Sequence, residues 1–286
     1  LAAALAAGET PSPEMVAAAG DEGALRPLLA WAGLGYILVA LAVITILSGK
    51  SSILSWIPQP KEPDVLAERG RELIKRLGYV QEPRDQAYGY EQTDFVGQLS
   101  KAANRADLLK LGEPPAIFFW YRQSQQYLTN ESFYSDGAIG PTRPPPEQPD
   151  MIGILLGPDG RLLQFNAVPP KTGDASGEPP KAEWNVLFSE AGLDLAKFKP
   201  VSPTLNPPTY ADTRMAWEGT YPRRADISIH IEAAALQGKP VYFQIFQPWN
   251  RPSHAETPHE SIANKIVSVV ILVGLLGVII GAFLLA

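Results

Sequence analysis

The chain contains no cysteine among its 286 residues, which excludes disulfides, cysteine-ligated metals and a cysteine nucleophile. Histidine is scarce as well, at three residues. Its 24 lysines and arginines are outnumbered by 30 aspartates and glutamates, and the resulting net charge of -6 is spread along the chain. A nucleic-acid footprint needs a basic patch, so we expect no nucleic-acid partner.

Familiar catalytic signatures are also missing from the sequence. It has no GxSxG elbow, no HExxH pair, and none of the kinase motifs, namely the Gly-rich loop, HRD and DFG. The segment HAETPHE clusters His254, Glu256, His259 and Glu260, but Pro258 breaks the helical spacing that would bring metal ligands together. We therefore expect no catalytic residue, no metal site and no cofactor in this chain, and leave open whether it is itself an enzyme.

Two long apolar stretches are present instead. Residues 28–47 carry no charge, and at about 1.5 Å per residue they cover the roughly 30 Å hydrocarbon core of a bilayer. Residues 265–286 are uncharged from Ile266 to the last residue. We predict a transmembrane helix in each, with the lipid bilayer as a partner. Gly277 and Gly281 have the GxxxG spacing of closely packed helices and are candidates for self-association, although glycine is also common in membrane helices generally.

Residues 48–264 are numerous enough to bury a core of their own. Apolar residues recur at helical spacing after Pro63, and Asp159-Gly160 and Gln237-Gly238 each separate two alternating runs, which is typical of hairpins. We predict an α+β domain, with two similar α+β halves as one arrangement, because a helix and then a strand precede each hairpin. The other predicted elements are helices at 95–111 and 183–198, a strand at 116–124, and proline-rich loops at 141–149, 168–180 and 200–208.

Four residues are candidates for lining a ligand groove in this domain. Trp120 and Arg122 fall on one predicted strand, and Trp217 and Trp249 fall near others. Aromatic side chains fill protein cores more often than they line sites, so a purely structural role is the competing interpretation.

Several long motifs carry a resemblance to a known family. They are LAAALAAGETPSPEMVAAAG at 1–20, FWYRQS at 119–124, PDGRLLQFNAVPP at 158–170, W..LF.EAGLD at 184–194, D.RMAWEG at 212–219 and GKPVYFQIFQPW at 238–249. Across nearly its whole length the chain resembles the portion that follows the catalytic domain in bacterial membrane serine/threonine protein kinases of the Acidobacteria type. The resemblance implies an internal fragment that starts just past the kinase domain and is truncated in its second span.

The family likeness also implies a topology and a role. Residues 1–27 would be a cytoplasmic juxtamembrane linker, and residues 48–264 an extracytoplasmic sensor domain of a multi-pass protein in the inner cell membrane. That domain would bind an unknown ligand or protein. The parent would phosphorylate serine or threonine with ATP and magnesium, although this chain holds no catalytic motif for that reaction. The alternative is a membrane-anchored extracytoplasmic binding or assembly protein without kinase activity.

Overall fold

The computed structural model describes residues 57–99, 105–129, 137–170 and 180–251, together with eight helical positions between residues 31 and 45. The described residues between 58 and 251 belong to one compact unit. The helices of this unit are α1 (Pro63–Arg76), α2 (Phe95–Gln98), α3 (Arg105–Lys110) and α4 (Trp184–Glu190), with a 3₁₀ turn at Leu195–Lys197. The strands are β1 (Asp85–Gln92), β2 (Ile117–Ser124), β3 (Ile152–Leu156), β4 (Leu162–Ala167), β5 (Lys199–Val201), β6 (Thr213–Tyr221), β7 (Arg224–Leu236) and β8 (Lys239–Phe246).

All eight strands belong to one antiparallel sheet in the order β1-β2-β3-β4-β8-β7-β6-β5. The order consists of two four-stranded meanders joined side by side through their last strands, β4 and β8. A helix precedes each meander, α1 before the first and α4 before the second. The predicted α+β class is therefore confirmed, and both halves share a single continuous sheet.

Helix α1 begins and ends where its sequence directs. Pro63 occupies the first turn, where its missing N–H leaves no intrahelical bond unmade, and Asp64 complements the positive end of the helix dipole. Lys75 and Arg76 lie in the last turn, at the negative end. Gly78 then takes a positive φ of 91°, which ends the helix at the predicted place.

The core lies between the two helices and one face of the sheet. Leu66, Leu73 and Ile74 of α1 are buried against the first meander, and Phe188 of α4 is buried against the second. Successive side chains of a strand point to opposite faces of the sheet, so every second residue faces the core, as Phe243 of β8 does. The opposite sheet face, which we call the open face, therefore carries the remaining residues.

Both predicted hairpins are confirmed. Asp159 and Gly160 lie in the turn between β3 and β4, where Gly160 has a φ of 90°. Gln237 and Gly238 connect β7 to β8 with φ values of 52° and 74°. Two consecutive positive φ values are typical of the tight turns whose twist matches that of the flanking strands.

Two local predictions differ from the structure. The predicted helix at 95–111 is two short helices, α2 and α3, among the described residues of that stretch. Part of the predicted loop at 200–208 is instead strand β5, which pairs Pro200 with Trp217. Proline is tolerated there because β5 is an edge strand and needs hydrogen bonds on one side only.

The two ends of the described unit lie at the same end of the sheet. The backbone N–H of Lys61 donates to the carbonyl of Pro158 in the β3–β4 turn, at 3.0 Å. Because β4 and β8 are antiparallel and pair Gln164 with Gln244, the end of β8 lies beside the start of β4 and hence beside this turn. The segment that leads into the domain and the segment that leaves it therefore lie at the same end of the sheet, which we call the pole.

The predicted spans fall largely outside the described residues. Within 28–47, the described positions are helical, and Trp31, Leu38 and Val39 among them are exposed. Among the residues that the structure describes, no helix has the length and apolarity needed to cross a bilayer. The stretch 265–286, with Gly277 and Gly281, lies outside the described residues, and both spans stay predictions.

Candidate ligand-binding site

A cleft of about 600 Å³ lies on the open face of the sheet. This volume falls within the ~300–1,000 Å³ of pockets that hold small molecules. The cleft lies at the end of the sheet where the chain enters and leaves the domain, beside the start of β4 and the end of β8. The lining residues come from β1 to β4, β8 and their loops, and are Glu91, Gln92, Thr93, Asp94, Phe95, Pro114, Pro115, Phe118, Pro141, Thr142, Leu155, Leu163, Gln164, Gln244, Ile245, Gln247, Trp249 and Asn250.

The floor of the cleft is centred on two glutamines at the junction of the two meanders. Gln164 of β4 and Gln244 of β8 are direct cross-strand partners, and we call them the seam pair. The hydroxyl of Tyr242 donates to Oε1 of Gln244 at 2.7 Å and so orients that amide. Among the described residues, nothing hydrogen-bonds the side-chain amide of Gln164. The seam pair therefore presents side-chain amides to the cleft from the junction of the two meanders.

One wall is aromatic and belongs to the segment that leaves the domain. Trp249 stacks on Phe95 with ring centroids 5.5 Å apart and planes 20° from parallel. We call residues 247–251 the exit segment. Its turn is closed by the N–H of Gln247 donating to Oδ1 of Asn250 at 2.7 Å and by the N–H of Asn250 donating to the carbonyl of Gln247 at 3.2 Å.

The side chain of Gln247 anchors the exit segment to the second meander. Its Nε2 donates to the hydroxyl of Tyr221 at 2.7 Å. Burial raises the pKa of Tyr221 to about 12, although the bond from Gln247 opposes this shift, so the hydroxyl stays neutral. Arg251 adds a second anchor, donating to Oγ1 of Thr204 at 3.2 Å.

Two prolines, Pro114 and Pro115, also line the cleft and are held in place by buried polar contacts. The hydroxyl of Thr93 donates to the carbonyl of Pro115 at 2.7 Å. Glu113, which precedes Pro114, is buried and accepts from Arg161 at 2.6 Å and from the N–H of Arg223 at 2.9 Å. A buried carboxylate that binds two separate segments fixes the position of these two prolines.

The charged residues among the described lining of the cleft are both acidic. They are Glu91 and Asp94, which lie exposed at its rim, and this lining includes no lysine, arginine or histidine. The lining is otherwise made of amides, aromatic rings, prolines and leucines. This combination of an apolar lining with a few convergent polar groups is typical of small-molecule sites.

Of the four candidate groove residues, only Trp249 lines the cleft. Trp120 is buried on β2, where a Cβ added at Gly89 would lie 3.1 Å from its indole. Trp217 lies on the core face and packs edge-on against Phe188, with centroids 5.1 Å apart. The structure therefore does not bring the three tryptophans into one groove.

Arg122, the fourth candidate, is buried beneath the loop of residues 140–151. Its guanidinium donates to the carbonyl of Gly140 at 3.0 Å and contacts the sulfur of Met151 at 2.9 Å. Burial lowers its pKa to about 10. These contacts hold the 140–151 loop over the sheet, and Pro141 and Thr142 of that loop line the cleft.

A second polar cluster lies on the open face beside the cleft. The buried carboxylate of Glu232 lies 2.9 Å from Nε2 of the buried His230 and accepts from the backbone of Thr204 and Leu205 at 2.8 and 3.1 Å. Burial alone would raise the pKa of Glu232, but these hydrogen bonds outweigh it and lower the pKa. Within the described ranges, no group of three or more acidic or histidine side chains could hold a metal; the HAETPHE segment lies outside them.

The seam pair was not anticipated from the sequence. Each glutamine interrupts an apolar run next to a core phenylalanine, in LLQFNA and KPVYFQIF. That local signal exists, but it does not say that the two strands are neighbours.

Comparison with known proteins yields no counterpart: no family model, no curated protein and no solved structure matches this chain.

Proposed function

We propose that residues 58–251 form the ligand-binding sensor domain of a membrane serine/threonine protein kinase, and that its ligand occupies the cleft. The observation that carries the ligand-binding part is the cleft itself, with an unpaired amide on its floor and an aromatic wall. The kinase part rests on the resemblance of the chain to the post-catalytic portion of such kinases.

The placement of the chain ends supports a position between two spans. A domain inserted between two membrane helices must return its chain to the membrane surface from which it came. The leading and exit segments of this unit lie at one pole of the sheet, as the Lys61–Pro158 bond and the β4–β8 register require. The pole that faces the bilayer in this proposal is the pole that carries the cleft.

The exit segment offers a route from ligand to membrane. Trp249 and Asn250 line the cleft, and the same segment continues toward the predicted span at 265–286. A ligand that contacts Trp249 favours the arrangement of the exit segment in which that contact is made. It can regulate the kinase only to the extent that it binds one arrangement of the spans better than another.

Regulation through the cleft is tested in the parent protein in native membranes. Leu155→Trp fills the floor of the cleft, and Trp249→Ala removes its aromatic wall; we expect both to change autophosphorylation relative to wild type. Tyr210→Ala is the matched control, because Tyr210 is exposed and does not line the cleft. Autophosphorylation identical to that of the control for both variants would refute a regulatory cleft.

The remaining parts of the proposal have separate tests. The reading frame upstream of Leu1 should encode a Gly-rich loop, HRD and DFG; a frame without them favours the alternative of an extracytoplasmic binding or assembly protein.

The absence of cysteine from the sequence makes the membrane orientation of the chain directly measurable. An impermeant thiol reagent should label Thr142→Cys on intact cells and should label Ser12→Cys only after permeabilisation. The reverse pattern would invert the proposed topology.

A further inference from the structure

We infer that the cleft binds a neutral, hydroxyl-rich molecule, a saccharide, with the seam pair as its polar selectivity element. This inference rests on the proposed function in one respect only, namely that the cleft is the ligand site. The chemistry of the floor, the walls and the rim each points to this ligand class.

The floor is matched to hydroxyl groups. A side-chain amide has two N–H donors and a carbonyl acceptor, and a hydroxyl likewise donates and accepts. Gln244 uses its carbonyl oxygen on Tyr242, which leaves its NH₂ group to donate into the cleft. Gln164 has both of its functions unpaired among the described residues. Neighbouring hydroxyls of a sugar ring would pair with these adjacent groups.

The walls are matched to the apolar faces of a sugar ring. A pyranose has C–H groups on its faces and hydroxyls at its edge, so it packs its face on an aromatic or proline surface. Trp249 and Phe118 supply aromatic surface, and Pro115 and Pro141 supply aliphatic surface around the same floor. The Trp249 ring is held by its stack on Phe95, which also lines the cleft.

The charges at the cleft favour a neutral ligand over charged ones. An anion, such as a phosphate or a nucleotide, would meet Glu91 and Asp94 without a compensating cation among the described lining residues. A cation would be favoured at the rim, where those carboxylates are exposed and screened by water, but it would find no carboxylate on the floor. A neutral polar molecule suits both the amides of the floor and the exposed rim.

The test uses the cysteine-free full chain in detergent micelles with one reporter. An environment-sensitive fluorophore on Thr142→Cys senses occupancy of the cleft by any ligand, and the same fluorophore on Ala225→Cys, which does not line the cleft, is the control. The probes are neutral di- and oligosaccharides, the matching uronic acids and sugar phosphates, and spermidine. Vesicles that carry a neutral glycolipid are tested beside the soluble sugars, to distinguish a free saccharide from a lipid headgroup.

We expect a saturable response to neutral saccharides, soluble or on glycolipid, from the cleft reporter alone. Replacing Gln164 by leucine should weaken that binding about tenfold, as the loss of one buried hydrogen bond implies. Gln126→Leu is the matched control, because Gln126 is exposed and does not line the cleft, and it should leave binding unchanged. Equal affinities in the two leucine variants would overturn the role of the seam pair.

Failure of the inference and failure of the proposed function give different results. A response to spermidine or to anionic sugars, with none to neutral saccharides, overturns the saccharide inference but keeps the cleft as a ligand site. If no probe changes the fluorescence of the cleft reporter, the saccharide inference is also overturned. The sensor function is judged separately by the autophosphorylation of the Leu155→Trp and Trp249→Ala parents, which needs no ligand to be identified.

Discussion

The ion-pair cluster that joins the two helices gives a quantitative test of how the two halves are held together. Glu190 at the end of α4 is buried, at 7% exposure, and its two carboxylate oxygens accept from Arg69 and Arg76 of α1. Each helix precedes a different meander, so this cluster crosses between the halves. Glu190→Gln keeps the shape of the side chain and removes the charge that both arginines face.

The expected magnitude follows from the burial of the three groups. Removing one partner of a fully buried pair typically costs about 3–5 kcal/mol, because a charge is left uncompensated. Here the arginine side chains are 28% and 57% exposed, so water solvates part of the freed charge. We therefore expect Glu190→Gln to lower the free energy of unfolding by about 2 kcal/mol.

The assay is urea unfolding of the full chain in micelles, followed by tryptophan fluorescence. Trp184 and Trp217 report on this region, because both lie in the aromatic cluster around Phe188. Glu72→Gln is the matched control. The Glu72 side chain is 60% exposed and lies 4.0 Å from Arg69, so its loss should cost under about 0.5 kcal/mol. Indistinguishable midpoints for the two variants would refute the reasoning.

Two further predictions concern packing and pH. Gly219→Ala should lower the free energy of unfolding by about 1–3 kcal/mol, because the added Cβ would lie 2.5 Å from the Phe198 ring. Gly97→Ala is the control, because a Cβ at Gly97 meets nothing within 4 Å. Equal urea midpoints for the two variants would contradict this prediction. For Glu232, hydrogen bonds from His230 and two backbone N–H groups lower the pKa despite burial. Its stabilising contribution is therefore present above the unfolded pKa and lost as the pH falls through the lower folded pKa. Wild type should lose more stability than Glu232→Gln between about pH 5 and 3, and parallel pH curves would exclude this role.

The parts of the fold that could be predicted are those specified by neighbouring residues. Helix α1 is marked at one end by Pro63 and at the other by Gly78, and each hairpin is marked by a dipeptide that ends in glycine. These signals act over a few residues, so the sequence alone suffices for them. Strand β5 was missed because Pro200 favours a loop locally, and only the neighbouring β6 makes it an edge strand.

The candidate site could be predicted only in part, because it depends on pairing between distant strands. Gln164 and Gln244 become neighbours through the β4–β8 pair, which joins the two meanders across 80 positions of sequence. Trp217 and Trp249 look alike as isolated aromatic residues in the sequence. The register separates them, because Trp217 pairs with Ile231 on the core face while Trp249 lies beyond the end of β8.

The cleft combines a fixed part and a part that leads out of the domain, and this division has a consequence for signalling. The seam pair lies in the centre of an eight-stranded sheet, so contacts with Gln164 strengthen binding equally whatever the exit segment does. Contacts with Trp249 depend on the position of the exit segment, which in this structure stacks Trp249 on Phe95. Only the second kind of contact differs between arrangements, and only a difference in affinity can shift their populations. In the proposed sensor, replacing Gln164 should therefore raise the ligand concentration needed for half-maximal response while keeping the maximal response. Replacing Trp249 should reduce the maximal response itself, even at saturating ligand.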